Sequence, residues 1–391
     1  MSNRWILYVG GFELPDKNAA AQRVIGNGNV FKKLGYDTFF LGLSKKEQPK
    51  YICDYEGFKY TNLPYPANKK GWYKYLTSIR HLTPFLEKKP TLIIAYNYPS
   101  VALSRLRRWS RKHNTPLISD CTEWYGAKGN VLFRAIKGFD TCYRMRVVHP
   151  KLDGIITISS FLYGFYKKRM RAIVNIPPLV DSSMLKWQNN DFVKLSDDDK
   201  IQVVYAGSPG AGNKDRIDLI LDSLSNLKNE GISNFFFTII GITLDQFEES
   251  FAKSIPANII QNIEFKGRLT HLEALSEIKK AHFDLFLRHD NLTNRAGFPT
   301  KFVESISCGT PVLTNDMSDI RKFMQHGKNG FLLDISNEKI LTESLKKIFQ
   351  LPQKDILEMK EYCRKSNLFD YKNYISMFEE LLSKINKNEK N

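Results

Sequence analysis

The sequence predicts an α/β fold of two Rossmann-like domains facing each other across a cleft. Three observations lead there. Short apolar runs alternate with longer helical patterns along nearly the whole chain, which implies parallel sheets with helices on both faces. The alternation breaks once, at the polar stretch 181–200, which ends in an acidic run and reads as a linker. At 391 residues the chain is long enough for two domains, each with its own core.

In the first half, strands are expected at Trp5–Val9, Thr38–Leu43, Leu92–Ala95, Leu117–Ser119, Gly154–Ile158 and Ile173–Ile176, with helices near 18–34, 72–88, 100–113, 130–147 and 160–169. In the second half, strands are expected at Gln202–Ala206, Phe235–Ile240, Ile263–Phe265, Leu285–Leu287, Val312–Thr314 and Phe331–Leu333. Helices fall at 214–229, 270–281, 300–308, 317–326, 336–350 and 353–366. The last pattern, 370–387, carries Tyr371, Tyr374, Ile375, Phe378, Leu381, Leu382 and Ile385 on one apolar stripe, which something must cover. In such sheets ligands bind beyond the carboxyl ends of the strands, so chemistry is sought there.

Composition narrows the class. Hydrophobic content of 42% with 25% charged residues suits a soluble globular protein. No apolar run has the length of about 18–20 residues needed to cross a bilayer, and Met1–Val9 reads into a strand rather than a signal peptide. The five cysteines, Cys53, Cys121, Cys142, Cys308 and Cys363, are scattered, with no Cys-x-x-Cys pair, so neither a zinc site nor a disulfide framework is expected. A reducing cytoplasmic location fits. Residues 1–196 carry 32 Lys/Arg against 13 Asp/Glu, a balance of +19, whereas residues 197–391 carry 26 against 28, a balance of −2, so the whole of the net positive charge lies in the first half. Such a field attracts phosphate, and with Tyr, Trp and Phe interleaved it suits an anionic membrane surface, with peripheral attachment to the inner face of the plasma membrane.

Five segments carry the chemistry. In 295–315, Gly297, Phe298 and Pro299 form a tight loop, and Thr300 and Lys301 open a helix whose free N–H groups suit a diphosphate. Glu304 follows one turn later, placed for ribose hydroxyls. In 203–216 a strand enters a Gly-rich turn containing Gly207 and Ser208, and then reaches Lys214, a point charge for phosphate. After the first strand come Gly10 and Gly11, and then Asn18, which also suits a helix N-cap. Asp120 and Glu123 follow a strand beside Trp124 and Tyr125 and suit acceptor hydroxyls, the alternative being an N-cap Asp and a surface Glu. The fifth is the basic surface of the first half.

The 295–315 segment resembles the donor-binding signature of family 4 (group 1) glycosyltransferases, with Glu304 at the second glutamate of their Glu-x7-Glu motif. The first position is Ala296, so the chain looks like the Pro-Ser/Thr-Lys-x-x-Glu subset found in bacterial surface-polysaccharide enzymes. The family's first acid helps hold the donor sugar, and Asn294 or Arg295 is the expected stand-in. The 203–216 loop is similar to the family's Gly-Arg…Lys phosphate loop with Ser208 in place of Arg, a gap that Arg268 or Arg288 is placed to fill. The stretch from Val9 onward resembles the glycine-rich first loop of GT-B enzymes.

The resemblance implies a GT-B fold with an N-terminal acceptor domain (1–183), a linker (184–200) and a nucleotide-sugar domain (201–369). The remaining residues, 370–391, form a helix crossing back to the first domain. It implies a retaining transferase moving a sugar from a nucleotide-sugar, UDP by family frequency or else GDP, to a saccharide or lipid-linked acceptor. The roles implied are Lys214 and Glu304 at the leaving group and ribose, with Asp120 and Glu123 on the acceptor side. No cofactor and no metal are expected: the nucleotide-sugar is a co-substrate, and no Asp-x-Asp stands at a strand end. The alternatives are a sugar-nucleotide 2-epimerase of the same fold and a basic nucleic-acid-binding protein, although no nucleic-acid module is visible and no nucleic-acid partner is expected.

Overall fold

The computed structural model describes residues 4–15, 18–45, 52–124, 126, 130–188, 200–209 and 214–388. The chain packs as two units. The first comprises Met1–Val180, Arg295–Phe298 and Asp370–Asn391, and the second Asp181–Asn294 and Pro299–Phe369. Most of the linker expected at 184–200 lies outside the described residues. The short segment Arg295–Phe298, expected in the second domain, belongs to the first unit.

The first unit holds an eight-stranded sheet: β1 (Trp5–Gly10), β2 (Asp37–Ser44), β3 (Cys53–Tyr55), β4 (Phe58–Pro64), β5 (Leu92–Tyr96), β6 (Leu117–Cys121), β7 (Gly154–Thr157) and β8 (Ile173–Asn175). Their order is β3-β4-β2-β1-β5-β6-β7-β8, parallel except for β3 against β4. The β3–β4 hairpin was not expected. It turns on Glu56 and Gly57, both at positive φ (53° and 72°), the two-residue geometry that matches strand twist. Its sequence signal was a glycine between two alternating aromatic runs.

The second unit holds β9 (Ile201–Ala206), β10 (Phe235–Ile240), β11 (Ile263–Gly267), β12 (Phe283–Leu285), β13 (Val312–Asn315) and β14 (Gly330–Leu333). All pair in parallel in the order β11-β10-β9-β12-β13-β14. Counted from the first strand this is 3-2-1-4-5-6, the doubly wound order with its switch point between β9 and β12. Strand β12 begins and ends two residues earlier than expected, which leaves Phe286–Arg288 as the loop at that switch point.

The expected helix 72–88 is two pieces, Lys69–Thr77 and Thr83–Leu86, and 317–326 shrinks to Ile320–Phe323. An unforeseen helix, Leu244–Phe251, starts at a capping box in which Thr243 and Gln246 satisfy each other's backbone N–H groups.

The final segment is a 3-10 turn, Tyr371–Tyr374, followed by helix Ile375–Asn388. Phe378, Leu381 and Ile385 are buried in the core of the first unit, and Phe378 meets Phe31 of helix Ala19–Lys33 edge-on at 5.1 Å. The apolar stripe is thereby covered. Removing the Phe378 ring should cost the first unit about 3–5 kcal/mol, the usual range for Phe→Ala in a core. Denaturant unfolding of Phe378→Ala checks this, and a loss below about 1 kcal/mol would contradict the packing.

Candidate functional site

The second unit gathers its unusual chemistry at the carboxyl ends of β9 and β12. Asp215, just after Lys214, has no exposed surface. Its Oδ2 accepts from Lys301 Nζ at 2.7 Å and from the Tyr205 hydroxyl at 2.7 Å, and its Oδ1 accepts from Arg288 Nε at 2.6 Å. Burial alone would raise its pKa, but Lys301 and Arg288 outweigh it and hold the carboxyl well below the usual carboxylate range. The same burial pulls the Lys301 ammonium below its ordinary value, while Asp215 works to restore it. Lys301 also lies over the Tyr205 ring, 3.9 Å from its centre.

Backbone geometry makes room for this cluster. Gly207 follows β9 at φ 145°, and a Cβ there would come within 3.0 Å of Lys301 Nζ. Gly241, after β10 at φ 103°, would place a Cβ 2.6 Å from the Gly207 carbonyl oxygen. Glycine is required at both positions because the chain crosses itself closely with left-handed φ.

Lys214 is exposed, its backbone N–H bonds the Pro209 carbonyl at 3.1 Å, and its charge contributes to depressing Asp215. Gly210–Asn213, the rest of the expected phosphate loop, lie outside the described residues. Ser208 is exposed at the end of β9, and Arg268 is exposed just past β11. Of the two arginines considered as replacements for the missing loop arginine, Arg288 is the one joined to this cluster.

Helix Thr300–Ser307 follows Pro299, which sits at its N-cap rather than in its first turn, and no side chain caps it. Lys301 on this helix is therefore tied to the residue after Lys214, so the two segments singled out in the sequence meet through Asp215. Glu304 is about one-fifth exposed, and one of its oxygens lies 3.4 Å from His271 Nε2, at the start of helix His271–Lys280. His271 in turn packs edge-on against Trp187 at 6.0 Å. Neither His271 nor Asp215 was singled out in the sequence. Asp215 carried one legible signal, a carboxylate next to the loop lysine, where a long-range cation was needed to give it meaning.

Behind the cluster, Asp284 on β12 is fully buried, with Oδ2 accepting from Ser305 Oγ at 2.5 Å and Oδ1 without a hydrogen-bond partner among the described residues. Burial pushes its pKa up to about 7, with Lys301 and the Ser305 hydrogen bond opposing.

The expected sugar-holding substitutes behave differently. Asn294 is buried, and its amide nitrogen donates to the His289 carbonyl at 2.8 Å, so its amide braces the loop. Arg295 is exposed. Ala296 is buried, and its carbonyl accepts from Ser159 Oγ at 2.7 Å within the first unit, to which Gly297 and the buried Phe298 also belong.

In the first unit Gly10 ends β1 opposite Tyr96 of β5, and a Cβ there would fall 2.4 Å from the Tyr96 carbonyl oxygen. Gly11 is exposed, with open space around it among the described residues. Asn18 caps helix Ala19–Lys33 by accepting from the Ala21 N–H at 2.9 Å. Asp120 does not reach solvent. It takes Arg23 in a fork (Nη2 at 2.7 Å, Nε at 3.0 Å) and accepts from the Tyr8 hydroxyl at 2.6 Å and from Asn27 at 3.3 Å, all buried. The carboxylate expected at acceptor hydroxyls is spent on the interior, because β6 is a central strand and its end is covered by helix Ala19–Lys33. Glu123, half-buried past β6 and beside Trp124, is the acid left at that strand end.

By sequence, residues 188–366 match the model of glycosyl transferases group 1. No curated protein matches the chain. By structure it is similar to HepE of Anabaena solved with UDP (TM-score 0.64, 13% identity, 97% of this chain and 99% of that one). It is also similar to sucrose-phosphate synthase of Thermosynechococcus elongatus (TM-score 0.70, 12% identity, 99% and 100%). A third likeness is to a glycosyltransferase of Rickettsia africae ESF-5 (TM-score 0.67, 12% identity, 99% and 100%).

The raised pKa of Asp284 sets a pH dependence. A folded-state value near 7, against 3.8 for the free group, means that its contribution to stability is full below about pH 4 and is lost as pH rises through 7. Asp284→Asn, neutral at every pH, should therefore be near wild type in stability below about pH 4. At about pH 8 it should be more stable by up to about 4 kcal/mol. Urea unfolding of both proteins across this range checks it, and a gap independent of pH would contradict it.

Proposed function

We propose that this chain, whose residues 188–366 match the group 1 glycosyltransferase model and whose fold is that of GT-B enzymes, is a retaining glycosyltransferase using a UDP-sugar without a metal. One observation carries the reading: Arg288 and Lys301 bind the single carboxylate of Asp215 at the switch point of the second sheet, with the exposed Lys214 next to it in the chain. These cations stand beside a helix N-terminus, with Asp284 and Glu304 as further acids nearby, and positive charge of this kind is what a leaving diphosphate requires. The HepE structures hold UDP and UDP-glucose, which supports UDP as the nucleotide here.

In the proposed step the bond between the sugar's anomeric carbon and the diphosphate oxygen breaks, and the diphosphate carries away the electron pair. The acceptor hydroxyl attacks from the same face, and its proton passes to a diphosphate oxygen. Lys214, with the start of helix Thr300–Ser307, takes up the developing charge. Arg288 and Lys301, held by Asp215, set the field around it. Glu304 is placed for ribose hydroxyls, one turn into the same helix. A saccharide or lipid-linked acceptor in surface-polysaccharide synthesis is supported by the Pro299-Thr-Lys-Phe-Val-Glu304 pattern and by the basic first half of the chain.

UDP should raise the melting temperature, and Lys214→Ala and Glu304→Ala should each abolish that rise, because binding to the native state stabilises it by mass action. An unchanged rise in both variants would put the site elsewhere. Turnover of a UDP-sugar with acceptor should survive excess chelator; its loss, restored by a divalent cation, would overturn the metal-free mechanism. Isomerisation of the donor sugar without acceptor would instead identify an epimerase.

A further inference from the structure

Helix Val131–Tyr143 turns apolar side chains towards water. Val131 (81% exposed), Phe133 (52%), Ile136 (53%) and Phe139 (64%) all stand in solvent. Phe133, Ile136, Phe139 and Tyr143 recur every three or four residues and so form one stripe, along which the Phe139 and Tyr143 rings stack at 5.7 Å. Val147, 37% exposed, follows in the next turn. Apolar patches of this continuity mark interaction surfaces.

The charges around the stripe have one sign. Between Trp124 and Leu152 the sequence has Lys128, Arg134, Lys137, Arg144, Arg146 and Lys151, with Asp140 as its one acid. Asp140 is half-buried, accepting from the Ser100 N–H at 2.8 Å and lying 3.9 Å from Arg144 Nη1. Arg134 and Arg146 are exposed, and the Lys137 ammonium lies 5.7 Å from the centre of the Phe133 ring. The neighbouring helix Ser100–Lys112 has no acid and exposes Arg105 and Arg108.

We propose that this helix docks the protein on an anionic lipid bilayer. Phe133, Ile136 and Phe139 enter the boundary between headgroups and acyl chains, and Arg134, Lys137 and Arg146 meet lipid phosphates. The charge pattern favours this occupant over the others. A symmetric contact with a second copy would set these cations against themselves, and a nucleic acid would leave the apolar stripe in water. Among the described residues no helix is long and apolar enough to cross a membrane, so the helix would lie on the surface. This inference does not depend on the donor site.

Flotation of the full chain with phosphatidylcholine vesicles, with and without phosphatidylglycerol, tests it. Binding is expected only to the anionic vesicles and should fall with added salt. Each basic residue near an anionic surface contributes about fivefold to partitioning, so the double variant Arg134→Glu, Lys137→Glu should weaken binding by more than about 30-fold. Phe133→Ser with Phe139→Ser should weaken it similarly, and because these side chains are exposed, thermal unfolding should be unchanged. As a separate readout, the Phe139→Trp variant should show blue-shifted emission on anionic vesicles. Undiminished binding by both double variants, equal binding to neutral vesicles, or unshifted indole emission from the bound Phe139→Trp variant would each overturn the proposal. So would a concentration-dependent dimer that the Phe→Ser variant abolishes in the absence of lipid.

Discussion

Asp215 is the tie on which the carboxyl edge of the second sheet depends. A carboxylate without exposed surface is costly to ionise, and here Lys301, Arg288 and Tyr205 together offset that cost. The partners come from different stretches of chain: Tyr205 from β9, Arg288 from the loop after β12, and Lys301 from the first turn of helix Thr300–Ser307. Buried charges tolerate little displacement, so the tie sets the position of the helix start relative to Lys214. It also explains why Gly207 is glycine: the Lys301 ammonium occupies the space a side chain would need.

The first unit repeats the device with a different outcome. Asp120 at the end of β6 is met by Arg23, Tyr8 and Asn27, which joins β1, helix Ala19–Lys33 and β6 in one buried network. Each unit thus has a buried carboxylate paired with an arginine at the carboxyl edge of its sheet. In the second unit the exposed Lys214 adjoins the pair. In the first the pair is sealed inside, and among the described residues the half-buried Glu123 and Trp124 lie beyond the strand.

The uneven charge of the two halves has a physical counterpart. The first unit carries many cations on helices with few acids: Ser100–Lys112 has none and Val131–Tyr143 has only Asp140. In the second unit many lysines and arginines are paired with carboxylates, as in Lys266 with Glu277 and Arg364 with Glu361. A one-sided excess of charge of this kind acts over distance on an anionic surface.

Period and punctuation in the sequence were enough to determine most strands of the two sheets, most of their helices and the cap at Asn18, and they singled out the 295–315 and 203–216 segments that meet at Asp215. Those features rest on local rules: alternation, amphipathic spacing, and glycine where φ must be positive. The β3–β4 hairpin and helix Leu244–Phe251 carried local signals too, a Glu-Gly turn and a capping box, that lay between stronger patterns. What only the tertiary structure decided is which charged groups face one another. Asp120 meets an arginine 97 positions away and Asp215 a lysine 86 positions away. Whether a carboxylate serves a ligand or a core depends on such partners, because its electrostatic energy is set by distance and burial in three dimensions, and neither is encoded in the spacing along the chain.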